Sequence, residues 1–500
     1  MFRKGNSKNH HINNNDNQET NLDSVLDSSS QLVDYLLQKC HQTSDLKILT
    51  ISNLTLFFID NQVNQSEFNL NIIGRLNNQT NYKIDDVINV ISVGDIEKSS
   101  DISYALLSVL KGSVCIYTNG IQEVILIKIP SKNNRSLSKP ENESQVIGSQ
   151  VGFNESLSTN VSLIRRSLAT PDLKNEFYII GRRTNTGVSV LYIEGLASND
   201  LVQRMRERLS SIDIDGLLDS AELNQLINDN SLSIFPQMLL TERPDRVCHG
   251  LLNGKITVLV DGSPMAILCP LSFIEFFESK EDYNVRWPIA SFVRLLRITA
   301  VFLSVFFTAL YVAALTFHYE VIPQALLVPL GESRSRVPFP PLFEAILLEF
   351  IIELLREAGA RLPTKVGQTM GIVGGIVIGT AAVQAGFTSN ILIIIVALGA
   401  LASFTTPSYP MGSLIRVIRF PILILAGFWG FYGIMFGFCF IMIHLLRLTT
   451  LGSPYMAPFY PPRFKDWVDS IVRLPFRFIY KRQALTRPAD KQKYNPDEVN

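Results

Sequence analysis

Between Val366 and Gly386 the chain carries no charge, and glycines stand at 371, 375 and 379. On a helix, three small residues four apart share one face, a doubled GxxxG pattern that lets another helix approach closely. The opposite face carries Thr369, Val373, Ile376, Thr380 and Gln384. At 100° per residue these five fall within an arc of roughly 80°. Lipid has no use for Thr and Gln, whereas a water-filled passage does. The five are therefore candidate pore-lining residues, with Val373 and Ile376 as apolar narrow points that could close by dewetting. Gly371, Gly375 and Gly379 are the helix-packing candidates, within one chain or between identical subunits around an axis.

A second group with chemical potential is acidic. In Leu342–Ala358, Glu349, Glu353 and Glu357 cluster with Arg356 on one arc of a helical pattern that starts at the prolines of Pro338–Pro341. Proline is tolerated in a first helical turn, and carboxylates at a bilayer centre are costly. The segment is expected to lie in the interface or to line a wet acidic vestibule. Arginines Arg165, Arg166, Arg182, Arg183, Arg243 and Arg246 could form a lattice of subunit contacts or simply face solvent. Asp213, Asp215 and Asp219 form only a loose acidic loop without EF-hand spacing. No GxxxxGK[ST], GxSxG, HExxH or GxGxxG occurs, and the histidines form no ligand cluster. Neither an enzyme, a metal site nor a cofactor is predicted.

The elements that position these residues follow from the change in composition along the 500 residues. Residues 1–30 are Asn- and Ser-rich without an apolar h-region and read as a disordered cytosolic tail with no signal peptide. Leu54–Asp60 and Val188–Glu194 read as buried strands. Each is followed by a hairpin-like run, around Asn119–Gly120 and Asp261–Gly262. The expectation is a duplicated α/β unit, 31–130 and 155–287, joined by a polar linker at 131–154. Residues 288–447 hold apolar blocks too long for a soluble core. Spans are expected at Ile298–Phe317, Val366–Gly386, Asn390–Phe404 and Phe420–Leu446. The tail 448–500 has nine Lys or Arg against five acids after Arg447. With Arg294 and Arg297 before the first span, this charge places both soluble ends in the cytoplasm and requires an even number of crossings. The fold class is thus an α+β multidomain membrane protein. It has two duplicated α/β cytoplasmic domains, an α-helical bundle of about four spans with an amphipathic helix, and a basic tail. Zero formal charge points to no nucleic-acid partner, and five scattered cysteines suggest buried thiols in a reducing compartment.

Several stretches carry a resemblance. They are SLIRRSLATPDLK (162–174), IGRRTNTGVSVLYIEGLA (180–197), SIDIDGLLDS (211–220), FPQMLLTERPDRV (235–247) and VLVDGSPMAIL (258–268). In the apolar half they are the long run 338–379, AAVQAGFTSN (381–390) and ASFTTPSYPMG (402–412). From about Gln31 to Arg477 the chain resembles the A subunit of GerA-type spore germinant receptors. The resemblance implies a multi-pass protein of the spore inner membrane that works with a transporter-like B subunit and a lipoprotein C subunit. It also implies an oligomeric channel for monovalent cations, opened when a nutrient is sensed in the partner subunit. A related spore-membrane paralogue that amplifies ion release with the dipicolinate-transport machinery would share these motifs. A non-conducting receptor scaffold and a secondary transporter are the readings from other classes. The latter predicts an inverted repeat of broken helices that the sequence does not display.

Overall fold

The structure is a computed structural model that describes residues 29–76, 82, 84–91, 95–119, 121, 123–131, 139, 140, 143, 145–362, 375, 377 and 379–495. Thr369, Gly371, Val373 and Ile376 lie outside the described residues. The chain divides into two compact units, residues 1–135 with 161–176, and residues 136–160 with 177–500. The boundary differs from the expected linker at 131–154. Residues 161–176 return to the first unit, and Glu143 and Gln145 already bond to residues of the second.

In the first unit, helix α1 (Ser29–Lys39) precedes strands β1 (Leu46–Ile51) and β2 (Leu54–Ile59), then helix α2 (Ile84–Val90). Strand β3 (Asp95–Ser99), helix α3 (Ile102–Leu110), and strands β4 (Ser113–Thr118) and β5 (Val124–Lys128) complete it. The order β1-β2-β4-β5-β3 is antiparallel throughout. All six residues of β2 are buried. Phe57 and Ile59 pack under α1 and α3 with Leu36 and Val109, while Leu56 and Phe58 pack on the other face with Phe68 and Ile72. A sheet covered on both faces has no reason to alternate apolar and polar residues. Asp101 caps α3 by accepting from the Ser103 amide at 2.8 Å, satisfying one of the donors every helix start leaves open.

The second sheet repeats that topology. Helix α4 (Leu157–Ser167) leads into β6 (Leu173–Ile180), β7 (Thr186–Ile193), α5 (Asn199–Ser211) and α6 (Ser220–Leu226). Then come β8 (Leu239–Thr241), α7 (Pro244–Leu252), β9 (Ile256–Val260) and β10 (Ala266–Cys269). The strand order β6-β7-β9-β10-β8 corresponds position by position to that of the first sheet. Asp261 and Gly262 turn the chain between β9 and β10, with Gly262 at φ 84°.

The apolar half forms a helical bundle in the second unit. Helices α8 (Trp287–Phe317), α9 (Gln324–Arg334), α10 (Pro341–Arg361), α11 (Asn390–Ser403) and α12 (Tyr409–Arg447) follow in turn. Two of them, α8 and α12, are long and apolar enough to cross a membrane. Ala300, Ser304 and Thr308 are buried along α8, and a Cβ on Gly399 of α11 would lie 3.8 Å from the Thr308 hydroxyl, a close approach that small residues permit.

Two features depart from the sequence expectation. Helix α12 is not one straight span. Gly430 has φ 58° and ψ −137°, and a Cβ on Gly433 would overlap the Leu425 carbonyl, eight residues earlier. In a straight helix those residues lie about 12 Å apart. The 39 residues therefore form an antiparallel helical hairpin that reverses at Gly430, a backbone state that favours glycine. Second, α10 is not an interfacial helix. It packs inside the bundle, with Glu344, Ala345, Leu348 and Glu349 buried. Leu342 lies against Gly427, Glu349 against Arg419 and Glu353 against Arg416, a steady antiparallel register with the first half of α12.

Beyond α12 the chain returns to the second sheet domain. The Tyr455 hydroxyl donates to the Pro236 carbonyl at 2.7 Å and Thr450 to the Gln237 carbonyl at 2.8 Å. Asp229 ties the same turn, accepting from the Thr449 hydroxyl at 2.5 Å and the Leu451 and Gly452 amides at 2.8 and 2.9 Å, with Arg208 at 2.7 Å.

Candidate functional site

Charges buried between apolar helices are expensive unless paired, so where they occur they mark function or register. The bundle centre holds such a pair. Arg419 and Glu349, each 3% exposed, form an ion pair. Thr308 of α8 donates to the other Glu349 oxygen at 2.9 Å. Arg419 also donates to the Ser304 hydroxyl at 2.7 Å and to the Gly399 carbonyl at 3.3 Å. One polar cluster thus joins α8, α10, α11 and α12. One turn along α10, Glu353 accepts from Arg416 at 3.3 Å and Arg356 at 3.4 Å, and Arg356 reaches Ser403 at 3.2 Å. At the other end, Glu344 binds Arg334 at 2.9 Å and accepts from the Ser389 amide at 3.3 Å.

The acidic arc read from the sequence is therefore divided. Glu349 is enclosed by protein and neutralised by Arg419, which corrects its reading as a vestibule residue. Glu353 is shared between two arginines, and Glu357 is exposed beside Arg361 at 2.6 Å. The spacing held a signal for this pairing. Carboxylates four apart (349, 353) on one helix match arginines three apart (419, 416) on an antiparallel partner.

Of the glycine-and-threonine helix, Gly375, Gly379, Thr380 and Gln384 are described. A Cβ placed on Gly375 or Gly379 meets no atom within 4 Å among the described residues. Thr380 and Gln384 are exposed. The end of this segment is anchored, since Phe387 stacks on Phe339 with ring centroids 5.9 Å apart, and Gly386, at φ 73°, lies against the Arg336 carbonyl.

The arginine candidates separate into two sets. Arg165, 1% exposed, binds Asp45 at 2.5 and 2.7 Å and Thr43 at 3.0 Å. Arg166 donates to the Ser131 carbonyl. Arg243 binds Asp245 at 2.9 Å and the Ser149 carbonyl at 3.0 Å, and Arg246 binds Glu143 at 2.6 Å. These four are engaged within the chain, Arg165 and Arg243 enclosed in it and Arg166 still exposed. Arg182 and Arg183 stand exposed beside Asp213 and Asp215.

Where α8 leaves the soluble domain, a further charge cluster was not foreseen. Arg297 grips Asp282 with two bonds of 2.8 and 2.9 Å, and Arg294 reaches Asp282 at 3.1 Å. Arg294 also pairs with Asp469 of the tail at 3.6 Å, and Tyr283 donates to Asp469 at 3.1 Å. Beside it, Glu278 is desolvated by burial, which outweighs the nearby Arg294 and pushes its carboxyl up to about 8. Burial, assisted by the positive Lys280, pushes His249 well below the ordinary imidazole range. Sequence showed Arg294 and Arg297 only as charges flanking a span, because their partners are 12 to 175 residues away.

Residues 34–485 match the family described as Bacillus/Clostridium GerA spore germination protein. The chain is 44% identical over 480 residues to spore germination protein GerQA of Bacillus cereus, covering 95% of this chain and 96% of that protein. It is 48% identical over 414 residues to spore germination protein GerIA of Bacillus cereus, covering 83% of this chain and 62% of that longer protein. To spore germination protein A1 of Bacillus subtilis (strain 168) it is 42% identical over 370 residues, 74% of this chain and 77% of the relative. Among solved structures, the N-terminal domain of the A subunit of the Bacillus megaterium spore germinant receptor GerK3 aligns at 28% identity. It covers 50% of this chain and 97% of that domain, with a TM-score of 0.38. With the match to residues 34–485 and relatives at this identity over nearly full length, the chain belongs to the GerA family of spore germination proteins, the receptor A subunits.

Proposed function

We propose that several copies of this chain assemble in the spore inner membrane into a nutrient-gated channel for monovalent cations, with the 366–386 helix of each copy lining the passage. The observation that carries this reading is the open space over Gly375 and Gly379. A small-residue face left bare by the described residues, on a helix whose other face bears Thr380 and Gln384, suits close packing against copies of itself around a wet axis. In this reading Val373 and Ile376 form the constriction, and Thr369, Thr380 and Gln384 the wetter rungs. A transporter-like B subunit senses the nutrient, and a lipoprotein C subunit completes the receptor. Glu353 and Glu357 remain the acidic residues available to the passage mouth, and Arg182 and Arg183 the arginines available to neighbouring subunits.

The reading also fixes a topology. The tail bonds to the same sheet domain that precedes α8, so both ends of the bundle lie on one side, the cytoplasmic side. An even number of crossings follows. With α10 inside the bundle and α12 reversing at Gly430, the crossings are six rather than four: α8, α10, the 366–386 helix, α11, and each arm of α12.

Potassium release from liposomes carrying the full chain, with and without its partner subunits, tests the channel. Val373→Ala and Ile376→Ala are expected to raise resting flux. Unchanged flux in both variants, with normal insertion and assembly, would instead make the chain a non-conducting scaffold.

A further inference from the structure

The basic tail folds into a cleft of about 1110 Å³ that the channel reading does not use. Six cations line it, Arg463, Lys465, Lys481, Arg482, Arg487 and Lys491, against Asp466 and Asp469. One acid, Asp469, is turned to Tyr283 and Arg294, and Arg482 is held by Asp490 at 2.7 Å. The Arg463 Nη1 is buried and has no hydrogen-bond partner among the described residues, a donor open to a ligand. The rest of the lining is apolar: Val468 and Ile479, with Phe464 and Phe478 exposed at the rim.

Its position narrows the ligand. One wall, the segment around Asp469, is fastened to the first turns of α8, where Ser291 donates to the Arg473 carbonyl at 2.8 Å and Arg294 pairs with Asp469. On the outer side of those turns Ile289, Phe292 and Leu296 are exposed large apolar residues on one helical face. The cleft thus stands at the level where α8 passes from protein into lipid. A free phosphate needs no apolar lining and would occupy a small fraction of this volume. An anion with a greasy body, lying at a membrane surface, matches cations, apolar floor and exposed rim aromatics together.

We propose that this cleft binds the phosphodiester headgroup and glycerol backbone of an anionic phospholipid, tying the tail to the cytoplasmic leaflet. Arg463 and the three exposed lysines contact the phosphate, and Phe464 and Phe478 lie along the acyl-chain roots. The site does not depend on whether the bundle conducts.

The test is fluorescence anisotropy of a labelled short-chain phosphatidylglycerol with the full-length chain in neutral detergent. Unlabelled phosphatidylglycerol should displace it, while phosphatidylcholine of equal chain length and millimolar inorganic phosphate should not. The triple change Lys465→Gln, Lys481→Gln, Lys491→Gln should weaken binding on the order of 100-fold, each lysine beside an anionic lipid being worth roughly fivefold. Arg463→Gln should weaken it separately, and Lys47→Gln, Lys98→Gln, Lys111→Gln in the first sheet domain should leave it unchanged. Equal displacement by phosphatidylcholine, displacement by inorganic phosphate, or native affinity in the triple variant and in Arg463→Gln would each overturn the proposal.

Discussion

Replacing Arg419 by methionine tests whether the buried ion pair holds the bundle together. The substitution removes the ion pair to Glu349 and the bonds to Ser304 and Gly399, and it leaves Glu349 enclosed with Thr308 as its remaining donor among the described residues. Both charges are 3% exposed, so solvent does not screen the loss. Stranding one partner of such a pair costs about 3–5 kcal/mol, and removing both with apolar residues of similar volume is close to neutral. Arg419→Met and Glu349→Leu are therefore each expected to lower stability by about 3–5 kcal/mol, and the double variant by less than either alone. The assay is denaturation of the full chain in mixed micelles, followed by far-ultraviolet circular dichroism and analysed as a double-mutant cycle. A double variant below either single requires a coupling of at least about 3–5 kcal/mol. Single variants within about 1 kcal/mol of native, or a double variant equal to the sum of the singles, would refute the reasoning.

Three further outcomes follow from the geometry. Gly430→Ala places a Cβ 2.6 Å from the His318 ring at φ 58° and should reduce folded yield and melting temperature, whereas Gly359→Ala, which meets nothing within 4 Å, should not. Tyr432→Cys, beside the reversal and exposed, should react with a membrane-impermeant maleimide from the side opposite Lys493→Cys, while a single straight span would leave position 432 unlabelled from either side. The Glu278 carboxyl is raised in the fold from an ordinary 4.5 to about 8, so the stability it contributes is present below 4.5 and lost as the pH climbs through 8. Glu278→Gln should flatten the fall of stability across that window, seen in melting curves taken from pH 4 to 9, and leave the value at the acid end unchanged.

What the sequence made legible was whatever depends on local pattern. The buried runs LTLFFI and TGVSVLYI became β2 and β7, and the Asp261–Gly262 turn joined β9 to β10. The duplicated α/β unit was legible because hydrophobic runs and turn dipeptides recur at matching distances, whereas the strand order they share came only with the structure. The apolar half was harder to read for two physical reasons. A glycine at positive φ can reverse a helix without changing its hydropathy, so Phe420–Leu446 looked like one span. A carboxylate is costly in a bilayer only when unpaired, and its partner 70 residues away is invisible to local pattern. That is why α10 was expected at the interface. The arginines failed in the same way. Arg165 and Arg182 look alike in sequence, and only packing shows that one is enclosed with Asp45 and the other faces solvent.

The charged ladder also bears on how a passage could open. Glu344, Glu349 and Glu353 stand at three levels of α10, and each is tied to arginine. Glu349 and Glu353 fix α10 against α12 in a single register, because sliding by one turn would leave a carboxylate and an arginine without partners, while Glu344 ties the same helix to α9. The C-terminal end of the 366–386 segment is tied to this frame, where Gly386 lies against Arg336, Phe387 stacks on Phe339 and the Ser389 amide donates to Glu344. Its glycine face has no partner among the described residues. A rigid frame cannot supply the motion of gating, and a helix cemented into it could not either. In the proposed channel, a helix packed through small residues against its own copies would rotate or shift by a fraction of a turn at low cost, and at a ring of Val373 and Ile376 such a shift would be enough to wet or dry the passage.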